Sequence, residues 1–211
     1  MQKLSKTKQT AILGMFAAII FLLTFTQIGY IKLPFLPINA TIIHIPVIIG
    51  SIILGWKMGA VLGLMFGISS FINNSFYTIG LTAFVFTPVI PVPGSDTGSL
   101  LSLIVCFVPR LLVGIVPYFV YTALKKVGGG KGNAVWLTIA GIAGSLTNTL
   151  LVMHFIFIFF KDSYSAAREV AAEAIYGVIL ATITANGIPE AIIAGIITAA
   201  VCQTVFLVLK N

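Results

Sequence analysis

Long apolar runs separated by short polar segments dominate the sequence. Runs of about 17–25 apolar residues are long enough to cross a bilayer as α-helices. We predict about six such spans, at residues 9–30, 38–55, 58–76, 99–124, 134–160 and 186–209. The sequence therefore predicts an all-α integral membrane protein in which residues 1–211 form a single transmembrane domain.

Composition supports membrane embedding. Hydrophobic residues make up 59% of the chain and charged residues only 8%, whereas a soluble domain carries about 25% charged residues. A chain of this length cannot bury so much apolar surface in its own core. Lipid is therefore expected to solvate most of its outer surface.

The net charge of +7 indicates topology. If the termini and loops alternate between the two membrane sides, one side receives most of the lysines: Lys3, Lys6, Lys8, Lys57, Lys125, Lys126, Lys131 and Lys210. The other side receives Lys32, Lys161 and Arg168, and the acidic residues lie on or near it. The lysine-rich side is predicted to be cytoplasmic. Both termini are then inside, and the basic charge does not indicate nucleic acid.

Motifs for catalysis or metal binding are missing from the sequence. The segment GGGKGN lacks the spacing of a Walker motif. No nucleophile with a neighbouring base can be assembled, and Cys106 and Cys202 lie in apolar runs without ligand spacing. We therefore predict that the chain is not an enzyme and binds no metal or cofactor.

Polar side chains inside the predicted spans concentrate toward the outer half. They are Asn39, Asn73, Asn74, Arg110, Asn148, His154 and Asn186. A polar group buried in lipid is costly unless another group satisfies it. Each could be satisfied by a neighbouring helix, but together they suggest one polar pocket that binds a substrate.

Arg110 has two interpretations. Its guanidinium could bind a carboxylate ligand through two parallel hydrogen bonds. Alternatively, it could pair with backbone carbonyls or with Glu190, near the start of the sixth span. His44 is expected to be a packed, hydrogen-bonded residue.

Small residues recur every four positions on several predicted helices. Gly59, Gly63 and Gly67 form such a stripe on the third span, and Gly14 and Ala18 form one on the first. Small residues at this spacing allow helix backbones to approach closely in lipid. The stripes could serve packing inside the bundle or the docking of a partner protein, and both remain open.

Three segments together resemble a known family. They are LPFLPINATIIHIPVIIGSIILGWKMGAVLGLMFGISSFI, PRLLVGIVPYFVY and NGIPEAIIAGIITAAV. Over nearly the whole chain, the sequence resembles the substrate-binding S components of energy-coupling factor (ECF) vitamin transporters. It is most similar to the members assigned to pantothenate. The resemblance implies a six-helix S-component bundle in a bacterial plasma membrane.

The same resemblance implies a division of labour among subunits. This chain would capture a vitamin outside the cell and deliver it with a transmembrane coupling subunit (EcfT) and two ATP-binding subunits. ATP and Mg would bind to those partners. The family's first-helix Ala-x-x-x-Ala docking motif corresponds here to Gly14-x-x-x-Ala18. The segment KLPFLPINAT would be the gating loop, with Lys32 at its start and Pro34 and Pro37 stiffening it.

Pantothenate offers a carboxylate, an amide and two hydroxyls. Arg110 suits the carboxylate, and Asn39, Asn73, Asn148 and Asn186 suit the other groups. Riboflavin, folate, thiamin or hydroxymethylpyrimidine remain alternative substrates.

Two other classes of protein remain as rivals. One is a stand-alone proton-coupled carrier with His154 and Glu190 as relay groups, and the other is a structural membrane protein whose pocket binds nothing. Only the S component predicts a stable complex with ATPase subunits.

Overall fold

The computed structural model describes residues 5–32, 39–77, 80–129 and 133–208. These residues are nearly all helical. The helices are α1 Lys6–Phe25, α2 His44–Leu54, α3 Trp56–Ile72, α4 Leu101–Val113, α5 Val116–Val127, α6 Ala134–Arg168, α7 Ile175–Thr182 and α8 Ile188–Val208. Two short strands, β1 Tyr30–Lys32 and β2 Asn39–Thr41, pair in antiparallel fashion.

Five helical stretches in the described part of the chain are long and apolar enough to cross a membrane. They are Lys6–Phe25, Trp56–Tyr77, Leu101–Val127, Ala134–Arg168 and Ile175–Val208. The apolar helix α2 is shorter, with 11 residues. These helices confirm the prediction of an all-α, multi-pass integral membrane protein. The orientation of the termini remains a prediction.

The second predicted span is shorter in the structure than its apolar run. Residues 39–41 form β2 by pairing with β1, and the helix begins only at His44. An 11-residue helix rises about 16 Å, roughly half the thickness of the hydrocarbon core. The apolar run alone did not show where β2 ends and α2 begins, because strands and helices can both carry buried apolar side chains.

Two other predicted spans also differ in their boundaries. The span at 99–124 is divided between α4 and α5, and Pro117 lies in the first turn of α5, where its missing N–H is not needed. The last predicted span starts at residue 186, whereas the helical stretch starts at Ile175 and reaches α8 through a π-helical segment, Ile183–Gly187.

The bundle has two chemically different ends. We call the end that carries β1 and β2 the hairpin end. The opposite end, where Lys57, Lys125 and Lys126 lie, is called the lysine end. By connectivity, α1, α3 and α6 run from the lysine end to the hairpin end, while α2, α4 with α5, and α7 with α8 run back.

The buried apolar side chains form two separate clusters. The larger one joins α1 to α6 and α8 and includes Ile20, Ile48, Leu62 and Leu137. The smaller one lies at the hairpin end, where residues 84–85 pack with the outer parts of α4 and α6. The gap between two apolar clusters is a natural place for polar side chains.

The glycine stripe of α3 packs against α4. A Cβ added to Gly59 would overlap the Gly114 carbonyl oxygen, and one on Gly63 would overlap the carbonyl oxygen of Arg110. At Gly67 the added atom would lie 2.7 Å from the Phe107 ring. All three glycines are buried. Their side of α3 is occupied, so the structure favours internal packing over partner docking for this stripe.

Gly59→Ala is expected to destabilise the isolated chain, because the new methyl must push α3 away from Gly114. Overpacking of this kind costs about 1–3 kcal/mol. The control is Gly14→Ala on α1, where an added Cβ meets nothing within 4 Å. Thermal unfolding in detergent should show a lower midpoint for Gly59→Ala only. Equal midpoints for the two variants would contradict this tight helix contact.

Candidate functional site

Buried polar side chains gather toward the hairpin end of the bundle. They include His44, Ser70, Asn73, Ser102, Arg110, Thr149 and Glu190. A polar group away from water must find a hydrogen-bond partner or lose free energy. A group of them at one end of a membrane bundle is therefore the candidate site for a polar ligand.

Two π-helical segments carry three of the asparagines of this region. Asn73–Tyr77 continues α3 and contains Asn73 and Asn74, while Ile183–Gly187 leads into α8 and contains Asn186. Wide turns of this kind occur frequently at functional sites, since they interrupt the regular α-helical bonding. Their positions therefore coincide with the polar region that the sequence predicted.

Arg110 is held between the two apolar clusters. Its side chain is 7% exposed, and its Nη1 donates a hydrogen bond to the Val105 carbonyl at 2.9 Å. The guanidinium carbon lies 5.5 Å from the Phe66 ring centroid and 4.9 Å from that of Phe86. The bond to Val105 draws the guanidinium toward the hairpin end. The rings stabilise the cation through their π faces and fix its position.

His44 and Asn148 lie at the same level on two antiparallel helices. A Cβ on Gly144 of α6 would lie 2.8 Å from Ile48 Cγ1 of α2, so these two positions touch. His44 lies one helical turn closer to the hairpin end than Ile48 on α2. Asn148 lies one turn closer to that end than Gly144 on α6. Residues four apart share a helix face. His44 and Asn148 therefore face the same interhelical space.

Asn186 reaches the same level from the π-helical segment that leads into α8. Its neighbour Gly187 packs on Thr149, where an added Cβ would lie 2.9 Å from the threonine Cγ2. Thr149 in turn follows Asn148 in α6. Three helices thus bring His44, Asn148 and Asn186 to one level of the bundle.

Several polar atoms of these side chains have no hydrogen-bond partner within the described ranges. They are both ring nitrogens of His44, Oδ1 of Asn148 and Oδ1 of Asn186. Buried polar atoms in native proteins are bonded in the great majority of cases. Together these atoms provide donors and acceptors for a ligand or its bound water.

Glu190 ties β2 to α8. Its Oε1 accepts hydrogen bonds from the Thr41 backbone N–H at 2.6 Å and from the Thr41 hydroxyl at 3.2 Å. The carboxylate is 7% exposed, so these bonds offset part of its desolvation. This contact fixes the end of β2 three residues before His44, beside the candidate site.

The structure does not bring every predicted site residue together. His154 lies between the exposed positions Leu150 and Ile158 on α6, and its Nδ1 bonds the Leu150 carbonyl at 2.7 Å. Lys32 and Asn39 pair through their strands, but their side chains lie outside the described residues, as do Pro34 and Pro37 entirely. Gly14 and Ala18 are exposed on α1.

Sequence reasoning did not select His44 for the site. It expected a packed imidazole with hydrogen bonds, whereas the ring is packed and has none in the described part of the chain. The sequence showed only a histidine at the start of an apolar helix. That pattern does not distinguish a histidine bonded within the protein from one that binds a ligand.

Within the described residues, no three His, Cys, Asp or Glu side chains lie close enough together to hold a metal ion. The site is built from one cation, amides, hydroxyls and an imidazole, and the Glu190 carboxylate beside it is engaged by Thr41. Such a set suits an organic ligand that carries a negative charge and several neutral polar groups.

The fold and this site define a substrate-binding membrane protein. Residues 8–202 match the family described as ECF transporter, substrate-specific component, and the chain belongs to that family. Its members bind substrate without catalysing a reaction on it. The chain is also 43% identical over 201 residues to the pantothenic acid transporter PanT of Lactococcus lactis subsp. cremoris (strain MG1363), covering 94% of each sequence. The predicted family resemblance is confirmed.

Glu190→Ala is expected to loosen the end of β2. A hydrogen bond to a charged group contributes about 1.5–3 kcal/mol, so the Thr41 amide should exchange its hydrogen about 10–100-fold faster. Hydrogen–deuterium exchange in detergent measures this rate. The control is Glu173→Ala, which removes an exposed carboxylate elsewhere on the chain. An unchanged rate at Thr41 would show that the Glu190 contact does not hold the strand.

Proposed function

We propose that this chain is the vitamin-capturing subunit of an ATP-driven ECF transporter and that its substrate is pantothenate. The observation that carries the proposal is the polar layer at the hairpin end. It combines a buried arginine with amide oxygens and imidazole nitrogens that have no hydrogen-bond partner in the described residues. The 43% identity to a pantothenic acid transporter supports the choice of vitamin.

The chemistry of pantothenate fits this set of side chains. Its carboxylate would bind Arg110, whose guanidinium is positioned by Val105 and two phenylalanine rings. An arginine–carboxylate hydrogen bond is charge-assisted and therefore stronger than a neutral one. The amide and hydroxyls of the vitamin would bind the asparagines of the site, Asn73, Asn148 and Asn186. The role of Asn39 in substrate binding remains a prediction, as does the role of Lys32, Pro34 and Pro37 in a gating loop.

Delivery would require partner subunits. A transmembrane coupling subunit (EcfT) and two ATP-binding subunits would supply the energy, and this chain would supply the substrate site. The exposed face of α1 supports a docking role for Gly14 and Ala18. Met15 and Leu22 on the same helix are more than half exposed, so the small residues are flanked by apolar side chains that a membrane partner could cover.

Binding to the purified chain tests the substrate. Small molecules released from the detergent-purified protein are identified by mass spectrometry, and pantothenate is then titrated by calorimetry. Recovery of pantothenate or saturable binding supports the proposal, while another vitamin in its place would change the substrate only. Uptake into vesicles by the chain without ATPase partners would instead indicate a stand-alone carrier.

Arg110→Gln is expected to weaken pantothenate binding by about 30-fold or more, because truncating one member of a buried charge pair costs about 2–5 kcal/mol. Calorimetry measures the loss. The matched control is Arg168→Gln at the exposed end of α6, which should bind as the unmodified chain does. Unchanged affinity in a folded Arg110→Gln protein would contradict the carboxylate assignment.

A further inference from the structure

His44 is the side chain whose burial the proposed function does not yet explain. It is 1% exposed, and neither ring nitrogen has a hydrogen-bond partner in the ranges described. Both nitrogens of an imidazole are strong hydrogen-bonding groups, and leaving a buried one unbonded destabilises the folded chain. Such a ring at the edge of a candidate binding site indicates a missing partner.

The surroundings of His44 show where that partner would lie. The ring faces an interhelical space. Asn148 of α6 borders this space, and Asn186, just before α8, lies at the same level. The Glu190–Thr41 contact fixes the chain just before it, and Pro46 lies in the first turn of α2 after it. The backbone that carries the imidazole is therefore held on both sides, so the ring is positioned before any ligand binds.

The protonation state of His44 decides what it can recognise. Neither ring nitrogen is hydrogen-bonded to a carboxylate in the described part of the chain, and an unpaired charge is costly in a buried position. A neutral ring offers one N–H donor and one nitrogen acceptor. This pair complements two hydroxyls, because one hydroxyl can donate to the ring nitrogen while the other accepts from the ring N–H. It does not complement a carboxylate, which only accepts.

We propose that His44 contacts the substrate directly and determines specificity for its hydroxylated acyl end, while Arg110 holds the carboxylate at the other end. The inference rests on the proposed function. It assigns the two ends of one ligand to two parts of the site. The cationic end is bordered by Phe66 and Phe86, and the neutral end by His44, Asn148 and Asn186.

Two ligands separate the roles of the two residues. Pantothenate carries both ends, whereas N-(3,3-dimethylbutanoyl)-β-alanine keeps the amide and carboxylate but lacks both hydroxyls. His44→Phe should weaken pantothenate binding by about 10–100-fold, the effect of losing buried hydrogen bonds. The analogue should bind to His44→Phe and to the unmodified chain within about threefold of each other. Arg110→Gln should weaken both ligands by similar factors.

A second variant and a control complete the experiment. His44→Gln keeps a donor and an acceptor but not their placement in a ring, so the ratio of pantothenate to analogue affinity should fall even if His44→Phe does not fold. His154→Phe changes the other histidine, on the exposed stripe of α6, and should leave the ratio unchanged. Calorimetry gives the affinities, and the thermal midpoint verifies folding.

The outcomes are distinguishable. A fall in the affinity ratio for the His44 variants, with the ratio of His154→Phe unchanged, supports the inference. Equal weakening of both ligands, or an unaltered ratio in folded His44→Gln, would overturn it while leaving the pantothenate site in place. The unmodified chain is titrated with both ligands before any variant. If it binds neither ligand, the proposed function itself fails.

Discussion

A bilayer offers no water to the polar groups inside a protein, and this constraint organises the molecule. Helices satisfy their own backbone, so only polar side chains need further partners. Several find them locally: the Ser51 hydroxyl donates to the Gly114 carbonyl at 2.7 Å, and the Thr24 and Ser69 hydroxyls lie 3.1 Å apart. Within the described residues, a few buried polar atoms find no such partner, among them Nε1 of Trp136 and the hydroxyls of Ser145 and Thr198. The ring nitrogens of His44 and the Oδ1 atoms of Asn148 and Asn186 are further exceptions, and these three residues lie at one level of the bundle, which favours a ligand there.

Close backbone packing makes the position of Arg110 possible. The α3 glycines let that helix approach α4 until Gly63 touches the Arg110 backbone. This approach places the Phe66 ring of α3 5.5 Å from the guanidinium carbon, and the short segment Ala83–Val85 is followed by Phe86, whose ring lies 4.9 Å from the same atom. The small residues thus act on the site indirectly. They set the distance between helices, and that distance decides which aromatic rings stabilise the buried charge.

The two parts of the proposed mechanism lie on different surfaces. The side chains proposed to bind the substrate lie at the hairpin end, where Glu190 bonds β2 to α8. The exposed face of α1 is separate from that region and carries Gly14 and Ala18 among large apolar side chains. A chain with this arrangement can bind a ligand internally while a partner covers α1. Substrate recognition and energy coupling would then depend on different residues.

The sequence by itself showed that lipid surrounds the chain and that the fold is helical, because apolar runs of membrane length leave few alternatives. It also indicated the family, because the ordered motifs span nearly the whole chain. It also indicated Arg110, Asn148 and Asn186, since polar residues are costly in lipid. Only the tertiary structure showed that the α3 stripe packs internally, that His154 lies between exposed positions of α6 and that His44 borders the candidate site. Helical periodicity shows which residues share a face, but what that face touches depends on how the helices pack against one another.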